Sequence, residues 1–244
     1  GMTYEPGSTF KPFTVAAALQ DGLIKPDTQF NLAPTIQVAD RVIGESHDRG
    51  WETMTTGQIL AQSSNVGAIT IGLKLGARRF DSWIHRFGFG RQTGVGLPGE
   101  EQGLVLPLKD YSGSTMGNLP MGQGQLVTPM QMMAAYAALA SNGVLERPRV
   151  ILRGAKNRRS VEGTRLVGPT VAAEVRKMLT GVFAEGGTAS EVSVPGYELA
   201  GKTGTANKID PATGKYSESA YVASFVGMAD RKSTRLNSSH ANIS

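Results

Sequence analysis

The sequence predicts an α+β fold, mostly helical, with a small antiparallel sheet near the C-terminal end. Two observations carry this. Helical start and stop signals are spread over the first three quarters of the 244 residues, and the strongest strand signals come late and as a pair. A composition of 40% hydrophobic and 18% charged residues is enough to bury a sizeable core.

The helices follow in order. Residues 10–19 form an apolar stretch stopped by Gly22, with Pro26 beyond it. Residues 57–62 read as a short helix and 66–75 as another, ending at Gly76. Thr128 supplies an N-cap and Pro129 the first helical position for a helix over 130–140, closed by Asn142 and Gly143. Pro169 opens a helix whose apolar residues Val171, Val175, Met178, Leu179, Val182 and Phe183 make one stripe, closed by Gly186 and Gly187. Met130, Met132 and Met133 are expected in the core.

Strands are expected over 35–43, 149–153, 197–206 and 220–228. The last two flank a polar turn containing Asp210, Pro211 and Gly214, so they read as a hairpin. Residues 88–127 are rich in glycine and proline with little periodicity, and a loop that long inside a domain is usually functional. Residues 231–244 change character, being polar and Ser/Asn-rich without hydrophobic period, and they read as a non-native tail on a domain spanning 1–230.

Composition also excludes classes. There is no cysteine, hence no disulfide, thiolate metal site or cysteine nucleophile. Basic residues number 25 against 20 acidic, but three of the basic ones, Arg231, Lys232 and Arg235, lie in the tail. The near-neutral remainder gives no basic patch for nucleic acid. No apolar run of 18 residues is present to span a membrane, and no signal-peptide pattern opens the chain. His47 and His85 have no metal-ligand spacing, and no cofactor is expected.

Three strings carry chemistry. Ser8-Thr9-Phe10-Lys11 sits at a helix start, where residues three apart share a face, so Lys11 can reach the Ser8 hydroxyl. The helix end favours developing negative charge, and a desolvated lysine can activate a serine. Ser63-Ser64-Asn65 lies at a break between two helices and offers a hydroxyl and a carboxamide. Lys202-Thr203-Gly204-Thr205 sits on the first hairpin strand, where a cation and two hydroxyls can hold a carboxylate and the glycine lets a ligand backbone approach. One S-x-x-K is expected by chance in a chain of about this length, but S-x-x-K, S-x-N and K-T-G in order form a specific signature.

With these residues the chain resembles the penicillin-binding transpeptidases over residues 1–230, and the wording from Glu5 to Lys11 is most similar to the division-specific class B enzymes. Gly122-Gln123-Gly124 followed by Val127-Thr128-Pro129 agrees. The resemblance implies a β-lactamase/transpeptidase-like fold and a serine D,D-transpeptidase that cross-links peptidoglycan stem peptides and is acylated by β-lactams. It implies Ser8 as nucleophile, Lys11 as base, Ser63 as proton relay and Asn65 as amide binder. Lys202 would supply positive potential, Thr203 and Thr205 would hold the carboxylate with Gly204 between them, and the Ser8 and Thr205 N–H groups would form the oxyanion hole. It further implies divisome membrane proteins as partners and an anchored protein facing outward from a bacterial membrane. Family strands before Ser8 and after the hairpin have no counterpart in the chain, so an incomplete sheet and weak support for the hairpin are expected.

Rival readings are a D,D-carboxypeptidase, a β-lactamase, or a β-lactam sensor that does not turn over. Class A β-lactamases need a glutamate in an E-x-x-x-N string, whereas Glu100 and Glu101 lack the asparagine. Residues 196–203 also fit the P-loop pattern G-x-x-x-x-G-K-T, but Pro195 upstream and Gly204, Pro211 and Gly214 downstream deny it the strand–loop–helix context.

Overall fold

The helix α1 (Lys11–Gln20) is buried along nearly its whole length, from Lys11 to Leu19. A helix apolar on all sides belongs inside a core, and Ala16, Ala17 and Ala18 let neighbours come close. A computed structural model describes residues 2–150, 163–209 and 216–231 of the chain. In it α1 is surrounded by α2 (Thr56–Ala61), α3 (Asn65–Leu75), α4 (Ala77–Arg86) and α7 (Pro169–Thr180), while α6 (Pro129–Ala140) packs on α7.

An aromatic cluster ties these together. Phe13 stacks edge-on against Phe10, Phe89 and Tyr136, with ring centroids 5.4, 5.2 and 5.2 Å away. Such pairs add about 0.5–1.5 kcal/mol each to their area burial. The Tyr136 hydroxyl donates to the Thr9 carbonyl at 2.7 Å, so α6 pins the turn that precedes α1.

Strands occur as four antiparallel pairs among the described residues. They are β1 (Gln29–Leu32) with β4 (Glu52–Thr55), β2 (Thr35–Val38) with β3 (Arg41–Gly44), β5 (Val144–Leu145) with β6 (Thr164–Arg165), and β7 (Tyr197–Ile209) with β8 (Tyr216–Arg231). The long hairpin pairs Thr203 with Phe225 and Thr205 with Ala223, and β7 packs against α7 and the turn Gly7–Phe10. Along β7, Ala200, Lys202, Gly204 and Ala206 are buried, whereas Thr205 is exposed. The α+β class is as expected.

Several expectations need correction. The strand expected over 35–43 is two strands folded at Ala39 and Asp40, with Ala39 in the left-handed region at φ 53°. Residues 149 and 150 are not strand, and the rest of that expected strand lies outside the described residues. Of the three methionines only Met132 is fully buried, whereas Met133 is 51% exposed. The hairpin turn at 210–215 and the tail beyond Arg231 also lie outside the described residues. Residues 88–127 do lack long elements, carrying only the short helix α5 (Thr115–Asn118) and brief 3-10 turns such as Leu119–Met121.

The last of those turns packs on α3 with no space to spare. A Cβ placed on Gly72 would lie 2.3 Å from Cγ of Pro120 and 2.6 Å from its Cβ. Gly72→Ala should therefore destabilise the domain by about 1–3 kcal/mol despite the better helix propensity of alanine. Denaturant midpoints measure this, and an unchanged or raised midpoint would show that Pro120 yields freely.

Candidate active site

The Ser8 region is built by close backbone approach. Ser8 lies in the 3-10 turn Gly7–Phe10, which runs straight into α1. Gly7 has φ 52°, its N–H donates to the Gly122 carbonyl at 2.9 Å, and a Cβ on it would sit 3.0 Å from the Thr205 carbonyl oxygen. A Cβ on Gly122 would lie 2.0 Å from the Gly7 oxygen. On the other side, a Cβ on Gly204 would meet Thr9 Cγ2 at 2.8 Å and the Pro6 oxygen at 3.1 Å. The small size of Gly204 thus admits the Ser8 turn to the strand. The Gly122–Gly124 string is locked to the same turn, since Gly124 N–H donates to Glu5 Oε1 at 2.9 Å.

The Ser63-Ser64-Asn65 string occupies the junction of two helices. Ser63 has φ 61°, its N–H bonds to the Leu60 carbonyl, and Ser64 N–H bonds to the Ile59 carbonyl. That is the Schellman ending of α2, with Ser63 at the position glycine usually fills. A side chain there costs about 1–2 kcal/mol. Ser64 at once becomes the N-cap of α3, its hydroxyl accepting from Gly67 N–H at 2.8 Å. Arg49 reinforces the end of α2 by donating to the Gln62 carbonyl at 2.9 Å and its side chain at 3.2 Å.

Lys11 joins the first string to the second. Its side chain is fully buried, and Nζ donates to the Ser63 carbonyl at 2.6 Å and Asn65 Oδ1 at 2.7 Å, with Ser63 Oγ at 3.3 Å. Its hydrogen-bond partners are therefore Ser63 and Asn65 rather than Ser8. Burial first, and then the charge of Lys202, push the Lys11 pKa well below the usual lysine value. Glu45 pulls the other way.

The third string completes the cleft. Lys202 is buried, with Nζ 3.1 Å from the Thr203 carbonyl and 3.4 Å from its hydroxyl, and desolvation lowers its pKa to about 7. Thr203 Oγ1 lies 2.7 Å from Thr188 Oγ1. Ser8, Ser63, Asn65, Thr203, Gly204 and Thr205 all line one cleft of about 700 Å³. Lys11 and Lys202 are buried, outside its lining. The structure thus brings all eight sequence-predicted residues to one site.

Sequence reasoning missed part of the wall. Ser46, His47, Gln123 and Thr188 also line the cleft, and Glu45 stands behind Asn65. Thr188 is held there by its N–H, which donates to the Ala61 carbonyl at 3.2 Å. No spacing rule links it to β7. Residues 196–203, the P-loop look-alike, run into the body of β7, so no helix follows them to receive a phosphate. Among the described residues no cluster of three His, Asp or Glu side chains could hold a metal ion.

A family model described as penicillin binding protein transpeptidase domain matches residues 2–239. Penicillin-binding protein PbpB of Mycolicibacterium smegmatis is 37% identical over 93% of this chain and 37% of its own length. The probable peptidoglycan D,D-transpeptidase PenA of Neisseria gonorrhoeae is 30% identical over 95% of this chain and 38% of its own. Among solved structures, penicillin binding protein 3 of Mycobacterium tuberculosis complexed with ampicillin superposes with a TM-score of 0.86 at 37% identity, over 94% of this chain and 53% of that one. The fold is that of the β-lactamase/transpeptidase class. The chain belongs to the penicillin-binding protein transpeptidase domain family, and its relatives are class B proteins. It spans about 37% of the length of these curated relatives.

The two buried lysines set a pH dependence. Folded Lys202 titrates near 7 while the unfolded side chain titrates near 10.5, so between these values the unfolded chain binds more protons. Stability should rise with pH across that window, by an amount on the order of a few kcal/mol. Above pH 10 the raised pKa values of Tyr4, Tyr111 and Tyr136 oppose the trend. Lys202→Met should flatten the rise from pH 7 to 10 in thermal melts. An equal slope in the variant would mean that Lys202 stays charged when folded.

Proposed function

We propose that the chain is the catalytic part of a serine D,D-transpeptidase that cross-links peptidoglycan stem peptides. The observation that carries this is the meeting of Ser8, the Ser63–Asn65 junction and the Thr203–Thr205 strand in one cleft, with Lys11, three residues after Ser8, bonded to Ser63 and Asn65. The name of the Neisseria relative and the ampicillin complex of the Mycobacterium structure point the same way.

In this reading Ser8 Oγ attacks the carbonyl of the penultimate D-alanine. Neutral Lys11 takes its proton, the oxyanion develops at the Ser8 and Thr205 N–H groups, and the tetrahedral intermediate collapses. The C–N bond breaks, and the proton reaches the departing D-alanine amine by way of Ser63. Thr203 and Thr205 hold the terminal carboxylate in the positive potential of Lys202, and Asn65 binds the peptide amide. An acceptor amine from a second stem then attacks the Ser8 ester, and its proton returns to the serine. β-Lactams enter as mimics of the donor. Divisome membrane proteins as partners and an extracytoplasmic, membrane-anchored setting follow from the resemblance. Among the described residues no helix is long and apolar enough to cross a membrane.

One observation bears on the hydrolytic rivals. Glu100 accepts from Thr93 N–H at 2.6 Å, Thr93 Oγ1 at 2.5 Å and Gly94 N–H at 3.2 Å, so it caps a loop. Among the described residues no aspartate or glutamate lines the cleft to activate a deacylating water. The acyl-enzyme should persist.

The test is intact mass after incubation with benzylpenicillin, with Ser8→Ala in parallel. A stable adduct of one drug mass, absent from the variant, is expected. Rapid release of hydrolysed drug would move the assignment to a β-lactamase, and an adduct that survives in Ser8→Ala would remove Ser8 from the role of nucleophile.

A further inference from the structure

Glu45 follows directly on β3, twenty residues before Asn65, and uses both carboxylate oxygens on the start of α3. Oε1 accepts from the Ser64 hydroxyl at 2.5 Å and Oε2 from the Asn65 backbone N–H at 2.6 Å. The adjoining Gly44 carbonyl accepts from Asn65 Nδ2 at 3.1 Å. These three bonds settle the orientation of Asn65. With Nδ2 committed to Gly44, Oδ1 is the atom turned to Lys11. Ser64 is immobilised by the same carboxylate while its oxygen receives Gly67 N–H. That fixes the residue after Ser63, whose left-handed backbone would otherwise relax. A carboxylate at a helix start is also favourably placed in the helix field.

We propose that Glu45 is a positioning residue for acylation, holding Ser63 and Asn65 against Lys11 through its paired bonds to Ser64 and Asn65. The proposal rests on the assignment of Ser8 as the acylated nucleophile. Glu45 does not itself line the cleft, so its action passes through the groups it holds.

A purely structural brace would be indifferent to charge, and Glu45 is not. The charged groups acting on Lys11 are Lys202 from β7, Arg49 from the segment before β4, and Glu45 after β3. His47 lines the neighbouring cleft wall. Lys202 and Arg49 disfavour the ammonium form, and Glu45 alone of the three favours it. Glu45→Gln keeps the shape and one of the two acceptor oxygens but removes the charge. More of Lys11 is then neutral at low pH, and the acid limb of the acylation profile moves to lower pH.

The experiment measures the second-order rate of acylation by benzylpenicillin from about pH 5 to 9 in the wild type, Glu45→Gln and Glu45→Ala. Glu45→Ala should be slower by about 10- to 100-fold, because Ser63 and Asn65 lose their brace. Glu45→Gln should recover most of that rate at neutral pH, with its acid limb displaced downward. The proposal is overturned if Glu45→Ala acylates within about twofold of wild type, or if the Glu45→Gln limb coincides with that of wild type. Should Glu45→Ala fail to fold, the displaced limb in Glu45→Gln decides alone. A wild-type protein that takes no adduct overturns the assignment of Ser8, and this proposal with it.

Discussion

A fully buried lysine amine holding two helices together is the interaction on which the rest of the site depends. Lys11 has three oxygen neighbours, two short and one long. A charged ammonium would donate to all three. A neutral amine has two protons, and these match the short contacts to the Ser63 carbonyl and Asn65 Oδ1. Its lone pair would then be free for Ser63 Oγ, which lies 3.3 Å away. The Ser63 hydroxyl and the lysine are thereby within reach of a proton transfer. Burial supplies the chemical half, because it holds the Lys11 pKa down.

The second lysine makes the first more effective. Among the described residues Lys202 has no carboxylate hydrogen-bond partner, and its effect on Lys11 is repulsive. Two nearby cations in a buried site cannot both hold their protons cheaply. The charge of Lys202 therefore adds to burial in driving Lys11 toward neutrality, and Glu45 behind Asn65 limits how far. Electrostatics here is a balance among three chain segments, α1, the loop after β3, and β7.

Much of this was legible in the sequence, and the failures have physical causes. The helices α3, α6 and α7 announced themselves by capping residues and apolar stripes. By contrast α4 escaped, although Phe80, Trp83, Ile84 and Phe87 recur at helical spacing and are buried. It follows α3 across the single residue Gly76, so the stop signal of one helix hid the start of the next. The β2–β3 hairpin read as one strand because Ala39 and Asp40 carry no glycine or asparagine turn signal. The motif strings located every residue first assigned to the cleft. They could not locate Glu45 or Thr188, whose roles come from loop geometry that no spacing encodes.

The close approach of backbones explains why the site needs three glycines and not merely three reactive strings. Gly7, Gly122 and Gly204 come from a turn, a loop and a strand, and each faces a neighbour too near for a Cβ. Bringing the Ser8 turn against β7 sets Ser8 beside the strand that carries Thr205. Side chains could not do this, because any of them would wedge turn and strand apart. The oxyanion site proposed at the Ser8 and Thr205 N–H groups would be made of backbone donors, rigid and with no titratable group of its own. The pH dependence of the chemistry is then left to Lys11 and Lys202, the two residues whose burial tunes it.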